Sequence, residues 1–144
     1  MPVARPRDAA TLILVRRDAA APRILMGRRS GGHDFMPGKW VFPGGRIDRS
    51  DYRGGALTSL QPDVAADLAS SARLLRQDGA RLAHALACTA VRETFEETGL
   101  VIGRRNGDGL LGDLGALSYI ARAITPPARH KRFDARFLMA DAER

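Results

Sequence analysis

The stretch "DGARLAHALACTAVRETFEETG" (78–99) constrains the fold more than any other segment, because it reads as one long helix closed at both ends. Asp78 stands where a side-chain oxygen can cap the orphan N–H groups of the first turn. Gly99 stands where a left-handed residue ends a helix without a Cβ clash. Strand-like runs lie on either side. "ATLILVRR" (10–17) and "APRILMGRRS" (21–30) read as neighbouring strands, "SGGHDFMPG" (30–38) as a loop, and "KWVFPGG" (39–45) as a strand stopped by Pro-Gly-Gly. In "PDVAADLASSARLLRQ" (62–77), Val64, Leu68, Ala72 and Leu75 fall at helical spacing. "RRNGDGLLGDLG" (104–115) reads as a flexible connection, followed by strands over 116–126 and 131–142. Strands, then helices, then strands predict an α+β sandwich in which a mixed sheet packs on helices.

A chain of 144 residues fits a single domain over 1–144 with a substantial buried core. No apolar run approaches the roughly 18–20 residues a bilayer-spanning helix needs, and the start carries no signal-peptide core, so no membrane partner is expected. One cysteine, Cys88, cannot build a disulfide framework, which makes a reducing cytoplasm the default location. The net charge of +7 favours anionic partners. Only Lys39 and Lys131 are lysines, and arginine suits bidentate phosphate contacts, although an Arg-rich, Lys-poor composition also follows from codon bias. Nucleic acid is not expected, because no basic helix, zinc-finger spacing or RNP-type aromatic motif is present. A homodimer is compatible with the chain.

Within the long helix, Glu93, Glu96 and Glu97 share an arc of roughly 100°, with Val91 and Phe95 on the opposite, core-facing side. Arg92 is i,i+4 to Glu96 and can hold its rotamer. Crowded glutamates near a helix C-terminus repel one another and oppose the macrodipole. A hard divalent cation such as Mg²⁺ or Mn²⁺ reverses that penalty, since it prefers carboxylate oxygens. By itself the triplet fits either a solvated acidic face or a metal site.

The surrounding residues favour the metal site. "RETFEETGL" fits the second half of the Nudix box, G-x5-E-x7-R-E-U-x-E-E-x-G-U, where U is a bulky apolar residue; Thr94 departs mildly at the first U. "FPGGRIDRSD" resembles the opening of the box, with Gly45 as its first glycine and Asp51 where the motif has Glu. Between Asp51 and Arg92 lie 40 residues (52–91), so the box is split by an insertion of 33 residues, its extra segment covering about 52–80. Loop lengthening at such a point costs little entropy, and the inserted helix can pack as a separate hairpin arm. The chain thus resembles the Nudix hydrolases, and within them a split-box subgroup similar to the peroxisomal coenzyme A diphosphatases, which share an opening like "FMPGKWVFPGGRID".

That resemblance implies an α/β/α sandwich with a mixed sheet and a helical insertion, a C-terminal helix that is either absent here or left out of a chain shorter than a full family member, and hydrolysis of a diphosphate linked to another moiety. It implies Glu93, Glu96 and Glu97, with the carbonyl of Gly45, as ligands of Mg²⁺ or Mn²⁺. Glu93 is ligand or general base, and Arg92 orients a carboxylate. Asp48 and Asp51 could complete the shell, and Asp134 and Glu143 are alternative bases. "ILMGRRSGGHDFMPGKWVFPGG" partly fits a coenzyme A diphosphatase signature at Leu25, Arg29, Ser30, Gly38 and Phe42 to Gly45. Arg28 and Arg29 either grip a phosphate or are surface residues at a strand end. Trp40 either stacks on a base or packs into the core. His33 and His130 lack zinc spacing and read as loop residues, and Arg129, Lys131 and Arg132 form either a phosphate-facing loop or a solvated one. Three functions follow: a diphosphatase acting on coenzyme A or acyl-coenzyme A; the same chemistry on ADP-ribose, a nucleotide sugar or a dinucleoside polyphosphate; or a non-catalytic nucleotide-binding module.

Overall fold

The computed structural model describes residues 4–28, 39–72 and 77–142. Along the chain run β1 (Arg7–Arg16), β2 (Arg23–Ile24), β3 (Gly27–Arg28), β4 (Trp40–Val41), β5 (Gly44–Arg46), a 3₁₀ turn (Arg49–Arg53) and β6 (Gly55–Thr58). There follow α1 (Pro62–Ser70), α2 (Gly79–Thr98), β7 (Gly103–Asn106), β8 (Gly109–Asp113), β9 (Ser118–Ile124) and β10 (Phe133–Asp141). The main sheet has the order β2-β1-β10-β9, and β5 also pairs with β1. β1 and β10 are parallel, while β2, β5 and β9 join antiparallel. The α+β class with a mixed sheet is therefore as expected.

Alternation along β1 sorts its side chains onto two faces. Ala10, Leu12 and Leu14 join Leu138 and Ala140 of β10 in a core closed by Leu82, Leu86 and Val91 of α2. Each fully buried leucine contributes about 1.5–3 kcal/mol. Ala9, Thr11, Phe133, Ala135 and Phe137 lie toward the other face, where they line a cleft. Among the described residues both helices belong to the one core, and no helix follows β10.

The capped helix forms as its ends predict. Asp78 accepts from the N–H groups of Ala80 and Arg81, and Gly99 sits at φ 78°. Thr94, the departure from the bulky apolar pattern, is fully buried and donates its hydroxyl to the carbonyl of Ala90. Phe95 is half-buried instead of core, with the guanidinium of Arg105 5.1 Å from its ring centroid.

Three segments differ from expectation. The inserted helix is not a separate arm: Val64 and Leu68 are buried in the common core. It ends at Ser70, short of position 77, and Leu75 lies outside the described residues. The stretch 104–115 is no loose connection, because β7 and β8 form a hairpin around Gly107 and Asp108, the former at φ 61°. β6 of the insertion adds to it in parallel, giving a second, three-stranded sheet. The expected strand 39–45 splits at Phe42-Pro43: β4 pairs with β3, and β5 with β1.

A buried polar network ties the insertion to the main sheet. Arg136 is fully buried; it donates to Asp8 at 2.7 Å and to the hydroxyl and carbonyl of Ser71 at 3.1 and 2.8 Å. Arg122 grips Asp134 through two hydrogen bonds of 2.8 Å.

Candidate metal and diphosphate site

The site grows from two elements that the sequence keeps far apart. The last turns of α2 carry Arg92, Glu93, Glu96 and Glu97, and β5 lays Gly44 and Gly45 alongside them. A Cβ on Gly45 would stand 2.6 Å from the Glu93 carboxylate, so only a glycine lets that carboxylate lie against the strand backbone. The Gly44 N–H points at Glu97 Oε2 at 3.4 Å, a long and weak contact that still marks where Glu97 turns. The Gly-Gly pair thus brings the helix carboxylates onto main-chain atoms.

Asp51 closes the two halves of the split box. It is 3% exposed and accepts Nε and Nη2 of Arg92 at 2.8 and 2.9 Å, the Thr89 hydroxyl at 2.8 Å and the Asp48 N–H at 2.8 Å. Its carboxylate is therefore engaged by Arg92, Thr89 and the Asp48 N–H together. Arg92 also reaches the glutamates: Nη1 donates to Glu93 at 2.9 Å and to Glu96 at 3.1 Å, and Nη2 to the carbonyl of Arg46 at 3.2 Å. The hydrogen bonds from Arg92 to Asp51 raise the arginine above its ordinary value, so it stays charged at any working pH.

The other candidates separate clearly. Asp48 is exposed, and the hydroxyl of Ser50, 2.6 Å away, lowers its pKa. Asp134 is fully buried and accepts from Arg122. Glu143 and Arg29 lie outside the described residues, as do Ser30, His33 and Gly38. Arg28 is exposed on β3 opposite Trp40. Trp40 is 63% exposed, so it is no core residue, and it lines a cleft. Cys88 is buried beside Asp51, and burial pushes its thiol up to about 12, which makes it a poor nucleophile.

Two clefts meet at Gly44 and Gly45. One, of about 520 Å³, is walled by Trp40, Phe42, Ile124, Phe133 and Phe137, with Phe42 and Phe137 edge-to-face at 6.3 Å. The other, of about 840 Å³, contains Glu97 among Arg5, Arg7, Arg46, Lys131 and Arg132. The loop reading of 129–132 had left Lys131 and Arg132 open; both line this second cleft, as does His130, and Arg129 lines the first. Arg5, Arg7 and Arg46 were missed; the alternating arginines of "VARPRD" were a signal for the first two, and no local pattern marked Arg46.

The donor set fits a hard divalent cation. It is all oxygen, and Gly45 leaves the space by which the Glu93 carboxylate meets the backbone. Among the described residues no three His, Cys, Asp or Glu side chains are gathered at metal-binding spacing. Glu93 and Glu96 are drawn to Arg92, while Glu97 turns to Gly44.

Fold and site together define a protein whose carboxylate-bearing helix lies across a Gly-Gly strand at the junction of an aromatic and a cationic cleft. No family model matches the chain, and no curated protein matches it. Solved structures do. A Nudix hydrolase from Alicyclobacillus acidocaldarius is 30% identical with a TM-score of 0.66, over 96% of this chain and 70% of that one. A MutT/nudix family protein from Enterococcus faecalis shares the fold at 17% identity and a TM-score of 0.57, covering 98% of this chain and 38% of its own. The Nudix domain of Shewanella oneidensis NrtR, solved with ADP ribose, shares it at 14% and 0.52, over 98% and 63%. The chain belongs to the Nudix hydrolases. Among its described residues no helix is long and apolar enough to cross a membrane.

Proposed function

We propose that the chain is a Mg²⁺- or Mn²⁺-dependent hydrolase of a diphosphate linkage in a nucleoside diphosphate derivative, with coenzyme A or acyl-coenzyme A as the leading substrate class. The observation that carries the reading is the meeting of Glu93 and Glu97 with the Gly44-Gly45 backbone where the two clefts join. A diphosphate lying there would have a base or acyl-bearing arm beside Trp40 and Phe42, and its charge toward Arg7 and Arg46. Glu93, Glu96, Glu97 and the Gly45 carbonyl would hold the cation. Once bound, Mg²⁺ or Mn²⁺ supplies charge neutralisation at the phosphoryl oxygens and an activated water. Arg92 fixes the rotamers of Glu93 and Glu96 from behind, and Glu93 serves as ligand or takes the proton of the attacking water. The non-catalytic reading loses one of its supports, since Asp51 is engaged with Arg92 and not misplaced.

The test is a substrate panel with Mg²⁺ and Mn²⁺, read as released phosphorylated products. 3′,5′-ADP plus 4′-phosphopantetheine selects coenzyme A. Products from ADP-ribose, the ligand in the distantly similar NrtR domain, in place of these would select the second substrate class. Absence of all hydrolysis would sink the reading. Glu97→Gln is expected to lower turnover by at least a hundredfold in a folded protein; unchanged turnover would remove Glu97 from the site.

A further inference from the structure

A threonine hydroxyl inside a helix ordinarily turns back to the carbonyl four residues earlier. Thr94 does so, donating to Ala90 at 2.7 Å. Thr89 of the same helix has a second acceptor: its Oγ1 lies 2.7 Å from the Ala85 carbonyl and 2.8 Å from Oδ2 of Asp51. The hydroxyl carries one hydrogen, so the two acceptors compete for it. An ionised carboxylate is the stronger acceptor, and with the hydrogen turned away two lone pairs would face each other in a closed site. Thr89 is fully buried and Asp51 is 3% exposed, so bulk water relieves neither group. The hydrogen of Thr89 therefore points at Asp51.

The two oxygens of Asp51 are held differently. Oδ1 accepts Nε of Arg92, whereas Oδ2 accepts Nη2 of Arg92, the Asp48 N–H and the Thr89 hydroxyl. Oδ2 is thus fixed by the 3₁₀ turn on one side and by α2 on the other. The guanidinium follows the carboxylate, because a bidentate pair has one preferred geometry. Nη1 of Arg92 then falls on Glu93 and Glu96. At position 51 the Nudix box has Glu, one methylene longer than the Asp found here. The shorter side chain leaves room on the helix side, and the branched Thr89 fills it with a donor.

We infer that Thr89 is a positioning residue: paired with Asp51, it stands in for the longer glutamate of the motif and sets Arg92 against Glu93 and Glu96. This rests on the reading of α2 as the carrier of the cation, and adds to it the residue from which the alignment starts. Asp51 and Thr89 are then a matched pair that tolerates exchange only together.

Solvent exchange of the Arg92 Nε–H, followed by ¹⁵N NMR on the full chain without metal or substrate, tests the pairing. Thr89→Val keeps the shape without the hydroxyl and should speed that exchange roughly fivefold or more. Thr89→Ser should keep it within about twofold of the intact protein. Thr94→Val, which removes a hydroxyl directed at a main-chain carbonyl, should leave it unchanged. Asp51→Glu pushes an extra methylene against Thr89 and should also speed exchange. Adding Thr89→Ala to Asp51→Glu should bring the rate back toward that of the intact protein, against the additive expectation. The alignment is read as Mn²⁺ affinity by electron paramagnetic resonance, which Thr89→Val should weaken roughly three- to tenfold and Thr89→Ser should preserve. Exchange indifferent to Thr89→Val, a double variant no slower than Asp51→Glu alone, or faster exchange with unchanged Mn²⁺ affinity would each overturn the inference. Faster exchange in Thr89→Val, in a protein that binds no Mn²⁺ even when intact, would uphold the hold of Thr89 on Arg92 and sink the metal-dependent reading instead.

Discussion

Two of the arginine–carboxylate networks among the described residues, one in the sheet and one at the end of α2, differ in charge balance. In the sheet, among the described residues, Arg122 and Arg136 face Asp8 and Asp134, with Arg136 and Asp134 fully buried. Hydrogen bonds of this set tie Ser71 of the insertion to β10. At the end of α2, Arg92 alone faces Asp51, Glu93 and Glu96, with Glu97 close by on Gly44. Asp51 is buried, but Glu96 is 55% exposed, so the excess negative charge lies at the surface. A balanced buried network fixes a fold, whereas an unbalanced one with its anions outward is prepared for a cation.

The sharpest way to break this contrast is Arg136→Met. It leaves Asp8 and Asp134 without their shared cation and should cost about 3–5 kcal/mol, seen as a lower urea midpoint; an unchanged midpoint would show that the network is not what holds the insertion. Asp51→Asn should act mainly on turnover. Without its bidentate partner Arg92 shifts, Glu93 and Glu96 follow, and Mg²⁺-dependent hydrolysis should fall by roughly ten- to a hundredfold, with a stability loss of about 1–3 kcal/mol. Gly45→Ala sets a Cβ against the Glu93 carboxylate and should lower turnover by about tenfold, with a stability cost of about 1 kcal/mol. Full activity in that variant would separate Glu93 from β5. The smallest effect is expected of Asp78→Ala, at the far end of the same helix. Losing the cap should lower stability by about 1 kcal/mol and leave turnover unaltered.

The helix carrying the site was legible because its signals are local: an Asp cap, a terminal Gly, and glutamates on one face. The pairing of Asp51 with Arg92 was only half legible, since the motif aligned them across the insertion without showing how a carboxylate shorter than Glu would act. The structure shows it fully engaged by four donors. The surroundings of Asp134 were not legible, because a lone Asp in a strand gives no hint that Arg122 and Arg136 lie against it. The hairpin of β7 and β8 had a usable Gly-Asp turn at 107–108, but its first strand, "GRRN", has no apolar alternation to announce it. β6 is exposed throughout and exists by virtue of its partner β8, which no local pattern encodes. Arg5, Arg7 and Arg46 become a group only when β1 and β5 lie side by side.

The central claim is that the unbalanced carboxylates of α2 hold a divalent cation against β5. Mn²⁺ binding followed by electron paramagnetic resonance tests it without any substrate. The intact protein should bind Mn²⁺, and Glu97→Gln and Glu93→Gln should each weaken that binding by at least tenfold while the folded signal in circular dichroism is kept. Mn²⁺ binding equal to that of the intact protein in both variants would contradict the account.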